Sequence, residues 1–467
     1  MRKLIAAVLV AALTGCSLQP PYVQPALPTA PGYTGAKPPA PGSVSAAEIG
    51  WRDFFQDPRL RTLIERALVT NRDLRVAVLR IDEARGQYRI QRADRLPNVD
   101  LGGGATRTRS SGKTGQGPSV TTNRFDVSAG VSAFELDFWG RVRSLSESAR
   151  ANYLSTIEAR RAFQISLIAD VAETYLNERE LDERIALADR TVDSRLRALD
   201  IARLRLQAGV TSGLDYRQSE VLLTQAQTEL ADLELQRAVN RNQLDLLVGG
   251  PVASPLPAPR ALAEQGIVEA IAPGLPSELL INRPDILAAE EQLRAANADV
   301  GVARAAFFPR ISLTGALGLA SAALTGLVSG SALTASLGGN VSFPLFDGGR
   351  NKGNLQVARA RYAIAVANYE RTIQIAFREV SDGLVSRRFL SDRLDAQQRE
   401  LAAQRARASL ATLRYRNGVA GYLEVLDAER DLFAAEQQTV ATRREQLTNA
   451  VDLYVALGGG TEPDPRR

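Results

Sequence analysis

Asp137-Phe138-Trp139-Gly140-Arg141 is a junction between two kinds of secondary structure, and the chain uses it twice. Ahead of it residues alternate between apolar and polar; behind it neither glycine nor proline occurs for roughly 68 residues. As one helix that run spans about 100 Å at 1.5 Å per residue. Trp139-Gly140-Arg141 recurs as Gly348-Gly349-Arg350, and Gly209-Val210 recurs as Gly418-Val419, at one offset: 349 − 140 = 418 − 209 = 209. A duplicated unit of this size decides the architecture before any single motif does.

Each copy opens with a proline-led pair of alternating segments. In the first, Val99, Leu101, Gly103 and Ala105 alternate with Asp100, Gly102, Gly104 and Thr106, and Phe125, Val127, Ala129 and Val131 with Asp126, Ser128, Gly130 and Ser132. In the second, Ile311, Leu313, Leu317 and Leu319 stand against Ser312, Thr314 and Gly318, and Leu337, Val341, Phe343 and Leu345 against Ser336, Asn340 and Ser342. One apolar face and one small or polar face is the pattern of a membrane β-barrel, lipid outside and water inside. Residues 311–346 carry no charge, so a membrane helix is the rival reading; their glycine, serine and threonine, and the charges in the matching first copy, favour strands. Four strands cannot close a barrel, and open edges in lipid cost several kcal/mol per unpaired backbone group. Three chains contributing four strands each close at about twelve, so a homotrimer is expected.

The glycine- and proline-poor runs read as long helices rich in Ala, Leu, Arg and Glu. Leu181, Ile185, Ala188, Val192, Leu196, Leu199 and Leu206 recur at three- and four-residue steps, as a coiled-coil seam does. Turns at residues 209–213 and near 418 return the chain. The expected fold class is mixed and mainly α: a duplicated repeat of two membrane β-strands plus long coiled-coil helices, closing as a homotrimer into a shared 12-stranded barrel continuous with an α-helical tunnel.

The N-terminus sets the compartment. Arg2 and Lys3, an apolar run over residues 4–13, and Leu13-Thr14-Gly15-Cys16 form an export signal at residues 1–15, to be excluded from the fold. Residues 16–45, with eight prolines from Pro20 to Pro41, read as an extended spacer. The first repeat occupies about 46–250, with strands about 97–107 and 124–138 and a helical hairpin about 141–248. A proline-rich linker follows at 251–276. The second repeat occupies about 277–457, with strands about 309–319 and 335–346 and a hairpin about 351–457, and a flexible tail fills 458–467.

Composition limits the chemistry. The 467 residues include no histidine and one cysteine, which removes imidazole acid–base catalysis, imidazole metal sites and internal disulfides. The net charge of +5 is interleaved along helices as Arg and Glu, so it reads as solvated helix faces and not as a nucleic-acid surface. Plentiful carboxylates leave room for a two-carboxylate hydrolase, but no pair stands out from the helical charge pattern. Gly112-Lys113-Thr114 lacks the leading glycine of a phosphate loop, Arg107 standing there, and reads as an external loop. No enzyme activity, cofactor or metal is expected.

These residues together resemble the TolC-like outer-membrane efflux proteins, in their lipoprotein branch (the NodT/OprM type). The likeness is carried by the cysteine motif ending at Cys16, by Gly50-Trp51-Arg52 to Asp57-Pro58, and by Asn71-Arg72-Asp73-Leu74. It is carried further by the strand exits 134–141 and 343–350, and by Tyr415-Arg416-Asn417-Gly418-Val419 to Leu423-Glu424-Val425-Leu426-Asp427-Ala428. The resemblance implies lipidation of Cys16, with Ser17 directing release to the outer membrane, and a passive exit duct docked on a periplasmic adaptor and an inner-membrane pump. In this branch that pump is most often proton-driven. It also implies a periplasmic gate at Leu423, Glu424 and Asp427 with Arg430 close by, and a matching but less charged first hairpin, where Asp215 matches Glu424 and Gln218 replaces the second carboxylate. Ala420 stands where some relatives carry a clasping arginine. Gly209, Val210, Gly418 and Val419 are the implied adaptor-contacting tips, although glycine is expected at a helix end on conformational grounds alone, and acidic residues in a first helical turn also favour the dipole. Alternatives are a periplasmic adaptor-like lipoprotein coupling a pump to another duct, or the duct of a metal-efflux or type I secretion system; the cargo is not written in the chain.

Overall fold

The computed structural model describes residues 17–34, 44–110, 119–252, 255–268, 271–272, 274 and 276–460. Cys16 and the export signal, the Gly112-Lys113-Thr114 loop and residues 461–467 lie outside them. In chain order come β1 (Val44–Ser45), α1 (Trp51–Phe54), α2 (Pro58–Thr70), α3 (Arg72–Ala93), β2 (Val99–Ser110), β3 (Val120–Glu135), α4 (Arg141–Gln207) and α5 (Gly213–Val248). Then follow β4 (Ile271–Ala272), α6 (Leu279–Asn282), α7 (Pro284–Ala305), β5 (Arg310–Ser321), β6 (Leu333–Ser342), α8 (Arg350–Arg416) and α9 (Tyr422–Ala456). The duplication is exact in the helices that follow the strands: α4 and α8 are 67 residues each, 350 − 141 = 416 − 207 = 209, and α5 and α9 start at the same offset, 422 − 213 = 209. Ahead of the strands it is 212, since α3 and α7 are 22 residues each and 284 − 72 = 305 − 93 = 212.

The chain divides into two compact units, one from Met1–Ala26, Arg80–Ile157 and Ala288–Glu370, the other from Leu27–Leu79, Glu158–Leu287 and Arg371–Arg467. The first holds an antiparallel four-stranded sheet in the order β2-β3-β5-β6, so the two copies join through β3 and β5. Its register sorts the side chains. Leu101, Ala129, Leu317 and Ala335 form one row across all four strands, and Val99, Val131, Gly315 and Leu337 the next. Their neighbours on the other face are Gly102, Ser128, Gly318 and Thr334, and Asp100, Gly130, Ala316 and Ser336. The alternation read from sequence is therefore one apolar sheet face and one small, polar face. Residues 311–346 contain β5 and β6, and among the described residues no helix is long and apolar enough to cross a membrane. On the polar face the strands approach closely: a Cβ on Gly318 would meet Val127 O at 2.3 Å, and one on Gly130 would meet Gly315 O at 2.8 Å.

The register of β3 on β5 slips by one residue between Val131 and Phe134, at a bulge where Ala133 takes φ 53° and its N–H donates to Thr314 Oγ1 at 3.2 Å. The inserted residue turns Glu135 to the polar face, where it accepts two hydrogen bonds from Arg141 (2.8 and 2.7 Å) and one from Arg310 (2.5 Å). Beside it the Trp139 ring stacks on Phe308 at 4.6 Å and its Nε1 donates to Pro309 O. A bidentate Arg–carboxylate pair fixes direction as well as charge, so the junction quoted at the outset is held rigid where strand becomes helix.

Residues 17–26 contain no helix or strand, yet they are not a free spacer. Arg304 donates to Leu18 O (3.3 Å), Asn297 to Pro20 O (2.9 Å), and Tyr22 to Glu290 (3.1 Å), every seventh residue of α7. Gln24 donates to Tyr369 Oη on α8 (3.0 Å). An extended, proline-bearing chain leaves its carbonyls unpaired, and donors along one face of α7 satisfy them.

In the second unit, Trp51, Phe54, Phe55, Leu60, Leu63 and Ile64 are buried with Tyr175, Leu176 and Tyr454. Phe54 stacks on Tyr454 at 3.9 Å; Asp57 caps α2 through Arg59 N–H and accepts from Tyr175 Oη at 2.7 Å. Asn71 Nδ2 donates to Leu247 O and its Oδ1 accepts from Leu74 N–H. The motifs at residues 50–58 and 71–74 are thus core and cap. On α4 the buried seam is Leu181, Ala188, Arg195 and Ala202, a strict seven-residue step. Ile185 packs against it with Leu233, Leu230 and Phe433, whereas Leu196 and Leu206 are exposed. Of the expected seam, Leu181, Ile185 and Ala188 pack in this cluster, while the buried line continues through Arg195 and Ala202 in place of Leu196 and Leu206.

The sheet's tightness gives a test. Gly318→Ala should lower the stability of the folded protein by about 1–3 kcal/mol through overpacking, whereas Gly102→Ala, into open space, should change it by less than about 0.5 kcal/mol. Loss of β-sheet circular dichroism on heating measures both; equal shifts would contradict the close approach at Gly318.

Candidate gate at the hairpin ends

Both long hairpins turn in the same way. Gly209 and Gly418 each take φ 71°, one residue past the last full turn, and Val210 N–H and Val419 N–H reach back to Arg205 O and Arg414 O at 3.0 Å. This is the six-to-one bond of a glycine-terminated helix, and nothing lies within 4 Å of either glycine's missing Cβ. The tips are therefore bare, and Val210 (62%), Leu214 (74%) and Val419 (68%) are exposed there.

The helices leaving the turns begin differently. Ser212 and Asp215 form a reciprocal capping box for α5: Asp215 N–H donates to Ser212 Oγ (3.2 Å), and Asp215 Oδ2 accepts from Ser212 N–H (3.3 Å) and Thr211 Oγ1 (2.7 Å). The Thr211 hydroxyl, then Ser212, holds the Asp215 carboxyl below the usual range. Helix α9 has Gly421 as its cap, with no side-chain bond, and Glu424 in its first turn. Glu424 instead pairs with Arg414 of α8 at 3.2 Å.

Four gate candidates share the outward side of α9. Leu423, Glu424, Asp427 and Arg430 are wholly or partly exposed, while Val425, Leu426 and Ala428 are buried; Val425 and Ala428 pack with Ala408 and Ala411. Leu423 and Asp427, four apart, stack on one face. Asp427 pairs with Arg430 at 3.3 Å, and Arg430 also reaches Asp431 at 3.0 Å. Asp431 is held below the usual carboxylate range, first by Arg407 at 2.7 Å and then by Arg430. Each candidate carboxylate of α9 thus comes with an arginine: Arg430, which the sequence reading places close by, for Asp427, and Arg414, which it does not name, for Glu424. Exposed pairs of this kind are worth about 0–1 kcal/mol.

Two further arginines link the hairpins. Arg205 of α4 bonds Tyr415 Oη with its guanidinium 5.3 Å from that ring, and Tyr415 packs on Tyr422 at 4.9 Å. Deeper, Arg195 is buried and meets Glu429 at 3.1 Å. Burial, then Glu429, pushes the Tyr422 hydroxyl up to about 12. Arg195 and Arg205 look like any other arginine of a charged helix, and nothing in their local sequence marks them. Gln218 and Ala420 are partly buried.

The outer membrane efflux protein family model matches the chain twice, over residues 63–250 and 275–459, once per repeat. The toluene efflux pump outer membrane protein TtgI of Pseudomonas putida is 42% identical over 457 residues, covering 96% of either chain. The cation efflux system protein CusC of Escherichia coli is 39% identical over 463 residues, covering 98% of this chain and 99% of its own. The open state of the Neisseria gonorrhoeae MtrE outer membrane channel superposes with a TM-score of 0.88 at 37% identity, over 95% of this chain and 98% of that one. With both repeats matched and relatives aligned over nearly their full lengths, this chain belongs to the outer membrane efflux protein family.

Proposed function

We propose that this protein is the outer-membrane exit duct of a tripartite efflux pump, working as a homotrimer whose three four-stranded sheets close one barrel. The observation that carries the reading is a sheet with one apolar face and two unpaired edges, β2 and β6. Lipid tolerates no such edges, and an adaptor has no use for them. The duct consumes no fuel and performs no chemistry of its own. Its partners are a periplasmic adaptor, meeting the bare tips at Gly209, Val210, Gly418 and Val419, and a proton-driven inner-membrane pump. A lipid on Cys16 adds to the hold of the barrel on the membrane, at about 0.8 kcal/mol per buried methylene.

Cargo is set by the pump. Relatives of nearly equal similarity carry the names of toluene and of cation efflux systems, so neighbouring sequences of this subunit serve very different cargo.

The gate is assigned to Leu423, Glu424 and Asp427 in threefold repetition, with Arg430 beside them and Asp215 supporting the first hairpin as a cap. Apolar and charged rings at a constriction control passage and ion preference. Because Arg414 and Arg430 remain when the carboxylates are neutralised, Glu424→Gln with Asp427→Asn should both raise single-channel conductance in planar bilayers and move ion preference toward anions. Unchanged conductance and preference would remove these residues from the gate. Native mass in mild detergent should be that of a trimer, and a stable monomer would end the duct reading. Intact mass of protein extracted from outer membranes should show residue 16 as the first residue, carrying acyl chains; a free thiol there would remove the anchor but leave the duct.

A further inference from the structure

The register assigns every strand residue to a face, and the apolar face carries two charges. Arg107 and Arg109 of β2 share the parity of Val99, Leu101 and Ala105, with Arg107 opposite Asn123 and Arg109 opposite Thr121. No carboxylate stands on that face between residues 99 and 109, 121 and 131, 311 and 321, or 333 and 341. On the polar face at the same end of the sheet, Arg124 is paired with Asp126 at 3.3 Å. The side chains of Arg107 and Arg109 are exposed and meet no acceptor among the described residues. Charge is thus balanced within the chain on one face and left open on the other.

The length of the apolar run gives their height. On β5 that face is apolar or glycine from Ile311 to Leu319, 319 − 311 = 8 steps. At about 3.4 Å per step this is about 27 Å along the strand. A strand tilt of about 35–45° reduces it to about 19–22 Å along a barrel axis, close to the apolar band of an outer-membrane barrel. The run ends where Val127 faces Leu319 and Phe125 faces Ala105, and Arg107 and Arg109 are the next two places on β2. An arginine is costly on the lipid face at mid-bilayer and cheap at the interface, which an aromatic residue such as Phe125 marks. Helices α3 and α4 join β2 and β3 at their other ends, so this rim is the one away from the helices. The second copy has no equivalent: with Pro97 matched to Pro309, Arg107 and Arg109 correspond to Leu319 and Ser321 (309 − 97 = 319 − 107 = 321 − 109 = 212).

Resting on the duct reading, which puts the apolar face in lipid and the helices in the periplasm, we propose that Arg107 and Arg109, with Asn123 and Thr121 beside them, bind the phosphate groups of outer-leaflet lipopolysaccharide. Guanidinium groups match phosphate oxygens as a planar fork. Two residues apart on one face, the arginines form a cationic ridge with about 7 Å between neighbours. The Asn123 amide and Thr121 hydroxyl, one strand away, suit the sugar hydroxyls of the same headgroup. Below the ridge, Phe125, Val127 and Leu319 offer an apolar surface to its acyl chains. One continuous surface thereby meets both parts of a phosphorylated glycolipid, once per copy of the chain.

The test uses full-length protein extracted from outer membranes and washed free of lipid in mild detergent. Native mass spectrometry then counts bound lipid and reports the protein's mass in one measurement. Four probes are titrated: lipopolysaccharide, enzymatically dephosphorylated lipopolysaccharide, phosphatidylglycerol and inorganic phosphate. The parent should bind lipopolysaccharide about tenfold more tightly than Arg107→Gln with Arg109→Gln does, the loss expected for charge-assisted contacts to phosphate. Arg107→Lys with Arg109→Lys should fall between the two, because an ammonium keeps the charge and loses the fork. Arg124→Gln, on the polar face, should bind as the parent does. Equal affinity of the parent and the double glutamine variant would overturn the site. Equal affinity of the parent for the dephosphorylated lipid would overturn phosphate recognition, and this arm needs no variant to fold. Phosphatidylglycerol bound as tightly would overturn the assignment to the outer leaflet, and inorganic phosphate displacing the lipid at equal concentration would reduce the site to one for free anions. All these outcomes are read on protein of trimeric mass; a monomeric parent would instead overturn the duct reading.

Discussion

Backbone hydrogen bonds left open along β2 and β6 govern the rest of this molecule. In water such groups are met by solvent; in hydrocarbon each costs several kcal/mol. Four strands of 10 to 16 residues with an apolar face cannot stay in lipid as an open sheet, nor comfortably leave it, since Leu101 and Leu337 are each 80% exposed. The duplication already contains the remedy. Pairing of β3 with β5 joins the two repeats inside one chain, and closure of three such sheets into one barrel leaves no edge. The bulge at Ala133 belongs to that logic: it turns Glu135 into reach of Arg141 and Arg310 and so fixes the direction in which α4 leaves the sheet.

Much of this was legible in the chain, and what was not has physical reasons. The long helices and their offset of 209 could be read because glycine punctuates both ends of each, at Gly140 and Gly209 and again at Gly349 and Gly418. Strand alternation was legible because a half-buried strand has period two. Ala133 also stands in the sequence as the extra residue between Val131-Ser132 and Phe134 that Val341-Ser342-Phe343 lacks, but one inserted residue does not by itself say whether a strand bulges or merely lengthens.

On α4 the expected seam holds at Leu181, Ile185 and Ala188 and departs at Leu196 and Leu206, which are exposed in the single chain, while Arg195 and Ala202 are buried; an arginine at such a position does not read as core from sequence. The strap over residues 17–26 could not be read, since Leu18 and Pro20 meet α7 through their own backbone carbonyls, which every sequence has. Contacts between hairpins were equally hidden. Arg205 and Tyr415 lie 210 residues apart, and no local pattern encodes such a meeting.

These hairpin contacts are graded in cost along the helices. Within the second hairpin, Arg414 with Glu424 and Arg430 with Asp427 are exposed pairs that salt screens and water replaces. Between α4 and the second hairpin, close to the turns, Arg205 holds Tyr415 by a hydrogen bond and by its guanidinium over the ring, and both partners are partly covered. Deeper still, Arg195 is buried against Glu429, and removing either partner from the other leaves a charge with little water to solvate it. Of the two α4 contacts, the partly covered one near the tip, Arg205 with Tyr415, is therefore cheaper to break than the buried one farther from it, Arg195 with Glu429. Of these contacts that α4 makes with the second hairpin, the one at the seam position Arg195 is the costliest to break.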